Sequence, residues 1–222
     1  MAVKSLFEHD FVSHYGIKAT VVADEYHVET RLFELEDKDK NPVVGYGEGK
    51  VRFSNVAGGM DVFAYERFIN STEHAFQDGL TRCDYVLTSS SPSYLVCLLE
   101  LTSAKGSIAG LFATKQNLPH GKIAKVETQL CISLQKMLDV PSIAADFANR
   151  QHKICLTAYR IFKTQNPKDR FRHPNSRYRE IETRETNEHG ARVSAPDIER
   201  LGFLYYRIAH GDTFRIQDAL NE

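Results

Sequence analysis

The chain has 222 residues, 42% of them hydrophobic, which is enough apolar material for one compact domain with a sizeable core. Its formal net charge of −1 excludes a global electrostatic attraction to nucleic acid or to a membrane, so any such partner has to contact a local patch. Four cysteines without CxxC or Cys/His ligand spacing indicate reduced core thiols and argue against a zinc site.

Neither a membrane anchor nor a secretion signal is predicted. No apolar run approaches the ~18 residues that a membrane-spanning helix needs. The start of the chain, MAVKSLFEHDF, lacks the apolar segment of a secretory signal. We therefore expect a cytoplasmic protein with no membrane partner, folded as a single domain over residues 1–222.

The N-terminal region, residues 18–56, is predicted to form β structure. Residues 20–35 contain stretches of alternating apolar and polar side chains and are rich in β-branched residues. The turn-forming sequence DKDKNPVVGYGEG separates them from KVRFSNV. This arrangement predicts an antiparallel pair of strands.

The next segment, GGMDVFAYERFINSTEHAFQDGL, predicts a helix. Asp61 is a suitable N-cap, and Gly79 is a suitable end. Five apolar positions follow a helical spacing: Val62, Tyr65, Phe68, Ile69 and Phe76.

A β-hairpin is predicted in residues 83–106, CDYVLTSSSPSYLVCLLELTSAKG, because two apolar runs flank a Ser/Pro turn. Asp84 begins the first strand, and Glu100 ends the second. Side chains placed in this way on antiparallel neighbours can lie opposite each other, with Cβ atoms ~5 Å apart.

The remaining elements alternate between helix and strand. KIAKVETQLCISLQKMLDV carries one apolar stripe and ends before Pro141, which predicts the clearest helix in the chain. The stripe consists of Ile123, Val126, Leu130, Leu134, Met137 and Leu138. HKICLTAYRIF is typical of a core strand, and RLGFLYYRIAHGDTFRI predicts one or two more. The fold class is therefore α/β, with a mixed sheet flanked by helices.

The two acids of the hairpin favour a metal site. Two neighbouring carboxylates repel each other unless a cation lies between them. Mg²⁺ suits such a pair, because it prefers oxygen ligands and usually takes one or two carboxylates together with water and phosphate oxygens. The alternative is that both strands simply end at a solvated edge of the sheet.

These residues resemble the PD-(D/E)XK (restriction-endonuclease-like) nuclease superfamily. The resemblance rests on CDYVL, a hairpin turn and LVCLLELT, covers about residues 60–162, and implies an α-β-β-β-α-β core with extra strands at both ends. It implies that Asp84 and Glu100 bind Mg²⁺ or Mn²⁺, with Glu66 as a further ligand and Glu73 as the second choice. AKVETQL is close to the A-x-x-Q-L pattern of the family's next helix, which makes Gln129 a site residue.

The chain departs from the family at the motif lysine, where it has Thr102. Threonine carries no charge that would stabilise a hydroxide or the transition state. Lys105, three residues further on, is one replacement. Lys125, four residues before Gln129 and on the same helix face, is the other.

A basic segment, residues 163–192, follows the predicted core. Within RFRHPNSRYR, arginines alternate with aromatic residues, a combination that grips phosphates and stacks on exposed bases. The candidate nucleic-acid contacts are Arg170, Arg172, Arg177, Tyr178 and Arg179. The alternative is an ordinary exposed hairpin whose charges are solvated and offset by nearby glutamates.

Three interpretations remain open from the sequence. The first is a metal-dependent nuclease that hydrolyses phosphodiester bonds in DNA or RNA, with a homodimer as an open assembly state. The second is a catalytically degraded nuclease fold that binds nucleic acid or a protein. The third is an unrelated α/β protein.

Overall fold

The computed structural model describes residues 3–18, 25–36, 50–54, 56–73, 76, 82–89, 94–102, 122–159, 191–209 and 212–221. The chain begins with helix α1 (Val3–Ser5), a wider π-type turn (Leu6–Phe11) and helix α2 (Val12–Tyr15). Sequence analysis made no prediction here, although the apolar side chains of Val3, Phe7 and Phe11 follow a helical spacing and are buried.

Ten strands form two sheets within the described ranges. They are β1 (Glu25–Val28), β2 (Leu32–Glu36), β3 (Lys50–Ser54), β4 (Met60–Phe63), β5 (Tyr85–Ser89), β6 (Leu95–Thr102), β7 (His152–Tyr159), β8 (Ala191–Arg192), β9 (Leu204–Ala209) and β10 (Thr213–Arg215). The larger sheet has the order β1-β4-β5-β6-β7-β9-β8, and the smaller has the order β10-β3-β2.

The larger sheet is mixed, as predicted. Within it, β1, β4, β5 and β6 pair in antiparallel fashion in that order. β7 then pairs parallel to β6, β9 pairs parallel to β7, and β8 pairs antiparallel to β9. In the part of the chain that the structure describes, the later helices are α3 (Tyr65–Asn70), α4 (Lys122–Leu138), α5 (Pro141–Ala148), α6 (Pro196–Arg200) and α7 (Ile216–Leu220). The protein is therefore α/β, with mixed sheets flanked by helices.

Each face of the larger sheet is covered by a different layer. On one face, α4 buries the predicted stripe at Val126, Leu130, Leu134 and Met137 against the strands, together with the N-terminal helical segment, α5 and α6. On the other face, the smaller sheet and α7 close a second apolar core. Side chains alternate between these two cores along each strand, because successive residues of a strand point to opposite faces.

The predicted helix over residues 61–79 is only partly correct. Met60–Phe63 is strand β4, and within the described residues the helical positions are Tyr65–Asn70, with Ala64 rather than Asp61 at the N-cap, and Phe76. Gly58 and Gly59 adopt positive φ and turn the chain directly into β4. Asp61 instead lies opposite His27 of β1, with 2.7 Å between its Oδ1 and His27 Nδ1. Gly79 lies outside the described residues.

Other predictions about the elements are confirmed. β2 and β3 form the antiparallel pair expected in the N-terminal region, although β1 joins the larger sheet. β5 and β6 form the predicted hairpin, and β9 and β10 are the strands expected near the C-terminus. Within the described ranges, no helix combines the length and the apolar character needed to cross a bilayer.

Candidate active site

The hairpin places Asp84 and Glu100 side by side. Tyr85 pairs with Leu99 across the antiparallel ladder, so the preceding residue of one strand lies beside the following residue of the other. The backbone N–H of Asp84 donates to the carbonyl of Leu99 at 3.0 Å. In turn, the Asp84 carboxylate accepts a short hydrogen bond from the backbone N–H of Leu101. The expected juxtaposition of the two acids is present.

Both carboxylates are buried on the helix-covered face of the sheet. Asp84 is 7% exposed and Glu100 is 5% exposed. Glu100 follows Val96 and Leu98 on the same side of β6, and both of those residues belong to the helix-side core. The two acids therefore do not sit at a solvated edge, which was the alternative that the sequence left open.

Helix α4 places Gln129, one of the residues singled out in the sequence, beside Glu100. Its amide nitrogen donates to Glu100 Oε1 at 3.2 Å and lies 3.5 Å from the backbone carbonyl of Arg82. Gln129 thus connects the end of β6 to the segment that leads into β5. An amide can hold a carboxylate in place but has no ionisable proton, so its role here is positional.

Cys83 lies in a negatively charged environment next to Asp84 and Glu100. Its backbone N–H donates to the Ser133 hydroxyl at 2.8 Å, which anchors this segment to α4. Burial, reinforced by the negative charges of Glu100 and Asp84, raises the pKa of the Cys83 thiol well above its usual value. Cys83 therefore stays a neutral thiol, which removes it as a thiolate nucleophile.

A row of polar side chains extends the site onto two more strands, β7 and β9. Glu100 pairs with Thr157 of β7, and Thr157 pairs with Arg207 of β9, so these side chains form one row on the same face of the sheet. Arg207 forms an ion pair with Glu127 of α4. Its Nε also donates to the Tyr205 hydroxyl at 3.3 Å.

Tyr205 links this row to β7. Its hydroxyl lies 2.9 Å from Thr157 Oγ1, so it accepts from Arg207 and can donate to Thr157. Burial raises the pKa of Tyr205 to about 12 against the opposing charge of Arg207, so the hydroxyl remains protonated. Sequence analysis missed this group, although an arginine inside the apolar run GFLYYRIA was a detectable signal.

The other predicted site residues fall into three groups. Glu66 lies in α3, and its backbone N–H donates to the Asp84 carbonyl at 3.2 Å, whereas Glu73 is exposed. Lys125 belongs to α4, but its side chain is outside the described part of the structure, as is that of Thr102. Six candidates lie entirely outside the described residues: Lys105, Arg170, Arg172, Arg177, Tyr178 and Arg179.

The donor set suits a cation that needs few protein ligands. Within the described ranges, no group of three or more His, Cys, Asp or Glu side chains is arranged to hold a metal ion. Asp84 and Glu100 supply two carboxylates, the number that Mg²⁺ or Mn²⁺ commonly takes from a protein when water and phosphate oxygens complete its coordination. Glu66, which was expected as a further ligand, is not grouped with them as a third.

Comparison with known proteins gave no relative. No family model matches the sequence, and no curated protein or solved structure matches it.

Proposed function

We propose that the protein is a metal-dependent nuclease that hydrolyses phosphodiester bonds in DNA or RNA. The observation that carries this proposal is the buried pair Asp84 and Glu100 on neighbouring antiparallel strands, with Gln129 donating to Glu100 from the helix above. Buried carboxylates are costly unless they are paired or bind metal, so the burial of both acids beneath helix α4 favours a functional role.

The order of elements supports the same proposal. Strands β4, β5 and β6 are antiparallel neighbours, with the short helix α3 between β4 and β5, and the chain then passes through α4 and α5 before β7 pairs in parallel with β6. This is the β-β-β-α-β order that the resemblance to restriction-endonuclease-like nucleases implies. The N-terminal helical segment packs against β4 through Phe7 and Phe63, although β1, β2 and β3 separate the two in the chain.

Asp84 and Glu100 would hold the metal ion. When bound, Mg²⁺ or Mn²⁺ supplies Lewis-acid chemistry by lowering the pKa of a nearby water and offsetting negative charge on the phosphate. The backbone N–H of Leu101 orients Asp84, and Gln129 orients Glu100. Lys105 and Lys125 remain the candidates for orienting the attacking water in place of the motif lysine.

The direct test is cleavage of labelled oligonucleotides by the full chain. Single-stranded, duplex and branched DNA and RNA would be incubated with Mg²⁺, with Mn²⁺ and with EDTA. We expect cleavage that requires the metal ion. Binding without cleavage under every metal condition would favour the alternative, a degraded nuclease fold that serves as an interaction module, as the Thr102 substitution suggests. If the protein shows neither binding nor cleavage of any substrate, the proposal is overturned.

Gln129→Leu should weaken Mn²⁺ binding by about 10-fold, because residues that orient metal ligands typically contribute 10- to 100-fold to affinity. Leucine fills similar space but cannot donate to Glu100. Titration calorimetry with Mn²⁺ measures the change, and Gln135→Leu, on the exposed side of the same helix, is the matched control. An unchanged affinity in Gln129→Leu would show that Glu100 needs no orienting donor.

A further inference from the structure

Helix α4 is tied to both ends of the polar row on the larger sheet. Glu100, Thr157 and Arg207 are register neighbours on β6, β7 and β9 and lie on one face. From the helix, Gln129 donates to Glu100 at 3.2 Å, and Glu127 forms an ion pair with Arg207. Two helix residues that are only two positions apart therefore reach strands that are separated by β7.

Glu127 and Gln129 leave α4 on opposite edges of its buried stripe. Each residue of an α-helix turns by about 100° around the axis, so two positions apart means about 200°. Val126 and Leu130 are buried between the two edges, whereas Thr128, on the opposite side of the helix, is exposed. The two polar contacts thus hold α4 from both sides and oppose its rotation about its own axis.

Arg207 is itself held rigidly, which makes it a fixed partner for Glu127. Its Nε donates to the Tyr205 hydroxyl at 3.3 Å, and its guanidinium carbon lies 5.2 Å from the centre of the Tyr205 ring. That hydroxyl lies 2.9 Å from Thr157 Oγ1, and both Tyr205 and Thr157 are fully buried. The side chain of Arg207 is 11% exposed, so solvent screens the ion pair less than a pair on the surface.

Apolar packing by itself fixes the rotation of α4 less closely than these polar contacts do. Hydrophobic contacts have no preferred direction, whereas a hydrogen bond weakens when its distance or angle departs from the ideal. The Gln129 amide nitrogen lies 3.2 Å from Glu100 Oε1 and 3.5 Å from the Arg82 carbonyl, at the long end of the range. A small rotation of the helix is therefore enough to separate Gln129 from Glu100.

We infer that the ion pair between Glu127 and Arg207 holds α4 in the rotation at which Gln129 orients Glu100. This inference rests on the proposed nuclease function, because it assigns Glu127 and Arg207 to the metal site as positioning residues that act through Gln129. The Tyr205 hydroxyl supports them by fixing the arginine. The polar row on β7 and β9 then has a role at the acid pair without contacting the metal ion or the substrate.

The key variant is Glu127→Met combined with Arg207→Met, which we call the double methionine variant. It should unfold at nearly the wild-type urea concentration, because replacing both members of a partly buried ion pair leaves no uncompensated charge. In the metal-free protein, NMR should show that the Gln129 side-chain amide exchanges its protons about 10-fold faster, as expected when one hydrogen bond is lost. Arg207→Lys keeps the charge and should retain part of the protection.

Titration with Mn²⁺ provides the second measurement. The double methionine variant should bind Mn²⁺ about 10-fold more weakly, the same loss as expected for Gln129→Leu. Combining all three substitutions should add little to that loss, because the ion pair acts through Gln129. Independent effects would instead multiply to about 100-fold and would overturn the inference.

Asp146→Asn is the control for stability, because it weakens the contact with Arg150 at the far end of the hairpin. It should lower the urea midpoint and leave the Gln129 amide and Mn²⁺ affinity unchanged. If wild type binds no Mn²⁺ but the amide responds as expected, the metal site fails and the ion pair still positions Glu100. If wild type binds Mn²⁺ and the double methionine variant keeps both amide protection and affinity, only this inference is overturned.

Discussion

Mn²⁺ binding should be lost when Asp84→Asn and Glu100→Gln are combined, and nuclease activity should fall by at least about 1,000-fold. The reason is that Lewis-acid stabilisation of developing charge contributes several kcal/mol, and each 1.36 kcal/mol corresponds to a factor of ten in rate. Both substitutions keep the shape and an acceptor oxygen for the donors from Leu101 and Gln129. Titration calorimetry and the cleavage assay measure the two losses.

The same variant should change stability in the opposite direction. Without metal, two neighbouring buried carboxylates repel each other, and replacing them with amides removes that repulsion. We expect the double variant in EDTA to be about 1 kcal/mol more stable than wild type, the usual size of a stability gain at a functional site. Added Mn²⁺ should then stabilise wild type alone, by about 2.7 kcal/mol at a concentration 100 times its dissociation constant.

A second pair of acids provides the control. Glu34 and Glu36 lie on the outer face of β2, where both approach Lys50 and both are exposed. Replacing both with glutamine removes the same charge and should leave Mn²⁺ binding and activity near wild type. A large loss of stability in the Asp84/Glu100 variant, with no response of wild type to Mn²⁺, would indicate a structural polar pair and contradict the metal site.

The acid pair was predictable because it depends on local sequence. A two-residue period and a Ser/Pro turn define the hairpin, and the hairpin alone brings Asp84 beside Glu100. Gln129 needed one further assumption, that α4 packs its apolar stripe over β6. Once that packing is assumed, Leu130 faces the sheet. Gln129, the residue before it on α4, then lies close enough to reach the end of β6.

The error at β4 shows where local pattern is insufficient. Val62, Phe68 and Ile69 fit a helical spacing, yet Val62 is in a strand. The deciding contacts come from β1 and β5, which flank β4 on both sides and are distant in sequence. Strand pairing of this kind overrides local preference, because β propensity depends on neighbours more than on the residue itself.

The polar groups that sequence analysis missed depend on tertiary contacts in the same way. Glu127 and Arg207 are 80 residues apart and meet only because α4 packs on the face of the larger sheet. Within the described part of the chain, the Tyr65 hydroxyl and Arg82 Nη1 have no hydrogen-bond partner, which becomes visible only when burial and hydrogen bonding are known for each atom. In the sequence, Arg207 stands out as a charge inside an apolar run, whereas Glu127, Tyr65 and Arg82 carry no distinguishing signal.

Arg150 is expected to be the largest single polar contributor to stability in the described part of the chain. It follows α5, is only 4% exposed, and its Nη1 donates to the carbonyls of Ser89 at 3.1 Å and Leu95 at 2.9 Å. Its Nε and Nη2 donate to the two oxygens of Asp146. Ser89 ends β5 and Leu95 begins β6, so one side chain holds the turn end of the hairpin.

Arg150→Met should lower the free energy of unfolding by about 3–5 kcal/mol, because removing one member of a buried pair leaves its partners without compensation. Arg150→Lys should recover only part of this loss, since one ammonium group cannot reproduce the planar fork that reaches both carbonyls and Asp146. Arg200→Met is the matched control, because Arg200 is exposed and pairs with Asp197 on the surface, where a change within about 0.5 kcal/mol is expected.

Urea unfolding measures these differences, and hydrogen exchange locates them. The Arg150 contacts lie at the opposite end of β5 and β6 from Asp84 and Glu100, so loss of Arg150 should speed amide exchange first at Leu95 and its neighbours. Exchange at Leu99 and Leu101, which flank the acid pair, should follow global unfolding. If Arg150→Met stays within about 1 kcal/mol of wild type, the hairpin is held by its apolar faces alone, because the polar contacts then add no more than an exposed ion pair.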